Sequence, residues 1–214
     1  MADVRAVPTR RTFDEGSKTH SDAIEKAAKR VAFERRVLLG VTMFMIFGMT
    51  LWIVSMSTAY WNRVDGGKGV KVPKTGRFLL SGHNGLWSSC RITFDNTTKP
   101  LKKIHRCQWL DLFPKTKDFN KTFLDYQRTA AGFSIIALLI MLMGLAFSLY
   151  TFFETRYMYK RLAAGCQMIA AGCILICLEV STARMKYETL NLPNRMPVGA
   201  TWTFGFSYIL AWIT

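Results

Sequence analysis

Four stretches without a single charged residue dominate this 214-residue chain: Val37 to Tyr60, Thr129 to Phe153, Leu162 to Leu178, and Pro197 to Thr214. A bilayer core takes about 20 apolar residues of helix, so the first two stretches are long enough and the last two stand near the lower limit. The third is expected to continue past Glu179 to about Ala183, because a carboxylate near a helix end reaches the interface or a partner. The chain is therefore predicted to be a mainly α membrane protein, a four-helix transmembrane bundle with spans at 37–60, 129–153, 162–183 and 198–214. Residues 1–36 precede the bundle, and segments 61–128, 154–161 and 184–197 connect it.

Residues 1–36 lack the short apolar core of a secretory signal, so the first span is expected to act as its own insertion signal. Lys26, Lys29, Arg30, Arg35 and Arg36 precede that span, and Arg156, Lys160 and Arg161 fill the short turn between the second and third. Positive charge flanking spans stays inside, which predicts a cytoplasmic N-terminus and a cytoplasmic turn. Segment 61–128 holds 14 Lys or Arg against 5 Asp or Glu. Loops longer than about 60 residues translocate largely regardless of charge, so this basic segment is predicted to be external. An external positive surface argues against nucleic acid. It suits an acidic protein partner, lipid headgroups or passing anions, and equally a solvated basic face with no dedicated partner.

Within the external segment, Arg77–Leu80, Leu86–Phe94 and Lys102–Leu110 are β-favourable runs separated by glycine, Asn96-Thr97-Thr98 and Pro100, which predicts a small antiparallel sheet. Cys90 and Cys107 lie in the last two runs, in an oxidising setting that favours a disulfide. That bond would brace the hairpin around Asp95–Pro100 and contribute about 3 kcal/mol by chain entropy. Trp87 is placed to cover the membrane side of the sheet. Asn96 and Asn120 each begin a glycosylation sequon, and Asn120 stands close to the second span.

Cys166, Ala170, Cys173 and Cys177 draw a stripe of small residues along the third span, which lets membrane helices approach closely. No histidine or external carboxylate converges on these thiols, so a metal site is not expected. Before the first span, Ser21 is placed to cap a helix through Ala23–Arg30, lying along the inner membrane face or solvated, with residues 1–20 disordered. His20, His83 and His105 are scattered, and no metalloprotease, nucleophile-elbow or P-loop pattern occurs, so neither catalysis nor a cofactor is expected. Glu179 is a functional candidate by position, or else a polar anchor paired with Arg184 or Lys186. One acid is too few for a pump or a channel.

Trp61 just after the first span, then Gly85-Leu86-Trp87, Cys90 and Cys107, resemble the W, GLW, C, C signature of the claudin superfamily. The resemblance runs from about Val37 to the end. Phe113-Pro114 through Asp118-Phe119 to Tyr126 and Arg128 resembles the calcium-channel gamma subunits and the transmembrane AMPA-receptor regulatory proteins, of which stargazin is the type. Ile174–Val180 with Arg184 and Met185 resembles the third span of the calcium-channel gamma branch. Thr201–Phe206 is similar to the aromatic entry into the fourth span of both.

The resemblance implies an accessory subunit that binds the outside of a pore-forming channel through its third and fourth helices and shifts gating. Met168, Leu175 and Glu179 with Phe204 and Tyr208 are the expected partner-facing positions. The implied partner is an AMPA-type ionotropic glutamate receptor or a voltage-gated calcium channel, at a plasma membrane and for the former postsynaptic. A claudin-like junction protein is the reading from another class. The basic loop departs from the acidic surface common among the AMPA-receptor regulators.

Overall fold

The computed structural model describes residues 10–72, 77–95, 102–113, 120–153 and 157–214. One unit ends at Phe44 and a second runs from Met45 to Thr214. Helix α1, Arg10–Ser57, crosses that boundary. It starts well before Ser21, so Ser21 lies inside a helix and does not cap one, and residues 10–20 are helical instead of disordered. Within the first unit, Lys29 and Glu25 pair at 2.6 Å across one helical turn.

Among the described residues three helices are long and apolar enough to cross a membrane: Ile24–Ser57 within α1, then α2, Lys121–Phe153, and α3, Tyr157–Asn191. At 1.5 Å per residue, α2 and α3 are each roughly 50 Å long against a hydrocarbon core of about 30 Å. The surplus falls mainly on the sheet side. There α2 begins eight residues before, and α3 ends eight residues beyond, the predicted spans. The start of the fourth predicted span, 198–214, is corrected: Thr201–Phe204 is a strand, β5, and helix α4 comprises Phe206–Ile213.

Small residues explain how α2 and α3 come together. Cys166, Ala170, Cys173 and Cys177 of α3 are buried, as are Ala130, Ala137 and Gly144 of α2. A Cβ on Gly144 would stand 3.1 Å from that of Cys166 and 2.7 Å from the Gln167 side-chain Nε2, so the absence of a side chain here eases the close approach of the two helices. The Cys177 thiol donates to the Ala130 carbonyl at 3.4 Å. No group of His, Cys, Asp and Glu among the described residues is placed to hold a metal.

Five antiparallel strands form one sheet in the order β4-β3-β2-β1-β5. They are β1 (Asn62–Lys71), β2 (Phe78–Asn84), β3 (Ser88–Asp95), β4 (Lys102–Trp109) and β5. The three predicted runs are β2, β3 and β4; β1 and β5 are additions. β1 is rich in glycine and charge, yet it pairs on both sides, and a register shift between Asp65 and Val70 absorbs Gly66-Gly67-Lys68-Gly69. Cys90 and Cys107 are direct partners across β3 and β4 and are disulfide-bonded. Two apolar clusters fill the second unit. One joins Trp52, Trp61 and Leu86 to the α2–α3 seam and α4. The other packs Val64, Val72 and Leu79 of the sheet region against Met185 and Met196.

Candidate functional site at the junction of sheet and helices

Gly85-Leu86-Trp87 is the tip of the β2–β3 hairpin, closed by the Gly85 amide on the Ser88 carbonyl at 2.8 Å. A Cβ at Gly85 would stand 2.6 Å from the Ala59 Cα and 2.9 Å from the Thr58 carbonyl, so glycine lets the hairpin seat directly on the end of α1. Leu86 is buried, and its carbonyl accepts a hydrogen bond from the side-chain Nε2 of Gln127 on α2. The Trp87 indole donates to the Met56 carbonyl of α1 at 2.9 Å, and its own carbonyl receives the Leu110 amide. Three residues thus fasten the sheet to two helices.

Trp61 anchors the junction from the other side. Its indole donates to the Ser55 carbonyl at 2.8 Å, and its ring meets Trp52 and Tyr208 edge-on at centroid distances of 6.3 and 6.2 Å. A buried indole with its N–H satisfied contributes area without a desolvation penalty. The α4 end is held by Ser55 and Thr58, whose hydroxyls reach the Ser207 carbonyl and hydroxyl, each at 2.6 Å.

An ionic cluster completes the junction. Glu188, 2 % exposed, lies on the part of α3 beyond the predicted span and accepts from Arg91 of β3 at 3.2 Å and Arg195 at 3.0 Å. One turn earlier on the same helix face, buried Arg184 donates to the side-chain Oε1 of Gln127. Phe123 of α2 presents its ring to Arg195 at 4.2 Å and to Arg184 at 5.8 Å, a cation–π arrangement that partly replaces lost hydration. Burial pushes the Arg91 guanidinium below its ordinary range, Glu188 pulls it back, and Arg195 opposes; the group remains charged. The chain of contacts runs from Leu86 through Gln127 and Arg184 to the face that carries Glu188.

This arrangement fastens the sheet to the helices through hydrogen bonds, ring contacts and buried ion pairs. Its distinguishing part is a hairpin tip with the sequence Gly-Leu-Trp clamped on a helical bundle beside a buried Trp61 and a cross-strand disulfide. A family model for the PMP-22/EMP/MP20/Claudin tight-junction proteins matches residues 46–214. The chain belongs to this family. No curated protein matches the chain. Within the matched residues, Trp61 and Gly85-Leu86-Trp87 dock the sheet on the helices, and Cys90 and Cys107 brace β3 against β4.

The other predicted positions scatter. Met168, 76 % exposed, Leu175 and Glu179 are exposed on α3, and Phe204 is exposed on β5. Tyr208 is corrected: it is 7 % exposed, stacked on Phe204 at 4.2 Å, and shares a hydrogen bond with Thr182 at 3.0 Å. It is core, not a partner contact. Glu179 does not pair with Arg184, which turns inward to Gln127, and no ion pair of Glu179 with Lys186 occurs among the described residues. The Asn120 carboxamide oxygen caps α2 by accepting from the Phe123 amide and also accepts from the Tyr187 hydroxyl, at 3.3 and 3.2 Å. Asn96 lies outside the described residues. Glu188 was missed because α3 was expected to stop at 183, Gln127 because α2 was expected to begin at 129, and Arg195 because it lies in the connection after α3; the spacing of Arg184 and Glu188 by four was the available signal.

Proposed function

We propose that this protein is a non-pore-forming auxiliary subunit that binds an ion channel and modulates its gating and trafficking, with an AMPA-type ionotropic glutamate receptor as the partner. In this reading it sits in the plasma membrane at the postsynaptic side, its N-terminus cytoplasmic and its sheet outside. The observation that supports it most is the continuity of α3, whose apolar length carries exposed Met168 and Leu175 and whose far end is clamped to the sheet through Glu188. A contact made by the helix with a channel's membrane domain is then held in fixed relation to the sheet beside the channel's outer domains. An auxiliary subunit shifts gating only by binding one state better than another, by about 1–3 kcal/mol, and a rigid coupling delivers such a difference where a loose tether does not.

A gamma-type subunit of a voltage-gated calcium channel uses the same physics with a different pore. The basic surface of the sheet segment favours a second class, a junction protein whose external loop lines an anion-favouring path. Affinity purification from native membranes in mild detergent, followed by identification of the co-purifying large subunits, distinguishes the three. Recovery with an ionotropic glutamate receptor is expected. Recovery with a voltage-gated alpha subunit, or assembly into strands at cell contacts with no channel recovered, would overturn the assignment.

A further inference from the structure

β4 stands at one edge of the sheet, so its backbone pairs on one side only. Which of its groups are left over follows from the hairpin beyond β3. The Gly85 amide bonds the Ser88 carbonyl at 2.8 Å, so Ser88, Cys90 and Ile92 turn their N–H and C=O toward β2. Trp87, Ser89, Arg91 and Thr93 then turn theirs toward β4, and the Leu110 amide bonds the Trp87 carbonyl at 2.7 Å in the same phase. Ile104, Arg106, Gln108 and Leu110 are thereby satisfied by β3. Lys103, His105, Cys107 and Trp109 point their N–H and C=O outward, and no backbone hydrogen bond takes them up among the described residues.

This edge is long and straight. From Lys103 to Trp109 it runs about 20 Å at the rise of a strand, its register with β3 is unbroken, and it contains no proline. The side chains of Lys103, His105, Arg106, Cys107, Gln108 and Trp109 are exposed, Trp109 to 81 %. The opposite edge differs: β5 has four residues and passes almost at once into α4. Edges are guarded against pairing by shortness, proline, bulges or charge, and β4 has only charge. Lys103 and Arg106 project on opposite faces, β4 holds no acid, and neither cation has an ion pair among the described residues. A second copy of β4 would set cations against cations, which destabilises a strand pair, whereas an acidic strand meets the opposite charge. We propose that the outer edge of β4 takes up an extended acidic segment of a partner protein as a sixth, antiparallel strand. An aromatic residue of that segment lies opposite Trp109, and carboxylates three and six positions later lie opposite Arg106 and Lys103. The four outward backbone pairs supply affinity, and the alternating side chains supply selectivity. This assignment goes beyond the proposed function and is the same whether the partner is a channel or a junction protein.

The test uses the full chain in phosphatidylcholine nanodiscs and a fluorescein-labelled synthetic peptide, Phe-Thr-Val-Glu-Thr-Val-Glu, followed by anisotropy. The peptide is expected to bind, more weakly as salt rises. N-methylation of its third, fifth and seventh amides, which face β4, is expected to weaken binding about tenfold or more, and N-methylation of the second, fourth and sixth by no more than about twofold. At saturation the peptide should slow amide exchange, read by NMR, at Lys103, His105, Cys107 and Trp109 about tenfold or more, leaving Ile104, Arg106 and Gln108 unchanged. Arg106→Glu is expected to reduce affinity about tenfold, and a peptide with lysine at its fourth position to restore it, which a misfolded variant would not allow. Absence of binding, equal losses from the two methylated peptides, protection without that alternation, or no restoration by the lysine peptide would each overturn the proposal. Alternating protection that arises without peptide as the chain dimerises would also overturn it, because the edge would then belong to a second copy.

Discussion

Replacing Glu188 with glutamine removes the carboxylate that two arginines share while keeping the side chain's size. Breaking a buried ion pair from one side costs about 3–5 kcal/mol, because the remaining charge stays buried without a partner. Here Glu188 is 2 % exposed, but the side chains of Arg91 and Arg195 retain 22 % and 27 % of their exposure. Part of their charge can still be hydrated, and glutamine still offers an oxygen to accept from them. The low end of the range therefore applies, about 3 kcal/mol, which is roughly a hundredfold in the equilibrium between docked and undocked sheet. Hydrogen–deuterium exchange in nanodiscs reads this directly. Amides of β3 and of Met185–Asn191 are expected to exchange about a hundredfold faster in Glu188→Gln, with those of the α2–α3 seam around Ala137 unchanged. Glu179→Gln removes an equal charge from an exposed site and is expected to stay within about 0.5 kcal/mol of the parent. If the two variants behave alike, the ionic cluster does not hold the junction.

Gly85→Ala sets a Cβ 2.6 Å from the Ala59 Cα, backbone on both sides, and is expected to lower stability by about 1–3 kcal/mol; thermal unfolding checks it, and an unchanged midpoint would refute the close docking. Cys90→Ser opens a bridge between residues 17 apart in sequence, a loss of about 3 kcal/mol, and should reduce surface delivery as measured by labelling of intact cells. His83, stacked on Tyr60 at 4.2 Å, has its pKa lowered by burial and by the charges of His105 and Arg63. The unfolded chain thus binds the proton more readily, so His83's contribution to stability is complete above pH 6.5 and is lost as pH falls below that. His83→Gln should flatten the fall in unfolding temperature on acidification, and an unaltered fall would place the effect elsewhere.

The membrane-spanning helices and the cross-strand disulfide were legible because each has a local cause: a run free of charge, and two cysteines in an oxidising setting. What escaped has a non-local cause. β1 reads as a loop, with Asp65-Gly66-Gly67-Lys68-Gly69 in its middle, and becomes a strand only because β2 and β5 supply partners on both edges. β5 reads as the start of a span because Trp202 and Phe204 are apolar; its pairing with β1 is invisible without the fold. Lys186 and Glu188 look like an exit into water, yet the helix continues and buries Glu188 because Arg91 and Arg195 arrive from elsewhere in the chain. Tyr208 was expected to face a partner because the resemblance implies that the fourth helix meets a channel. Its spacing with Ser207 and Ala211 puts all three on the inward face of α4, where a helical period would have placed them.

The role proposed for this protein is to adjust a channel's gating through a sheet fastened to its helices. Whole-cell recording of an AMPA-type receptor expressed with and without the chain tests it most directly, with Glu188→Gln as the third condition. No current is expected from the chain alone, with altered desensitisation when it accompanies the receptor and loss of that alteration in Glu188→Gln while the variant still co-purifies with the receptor. Current carried by the chain itself, or full modulation by a variant whose sheet has come loose, would contradict it.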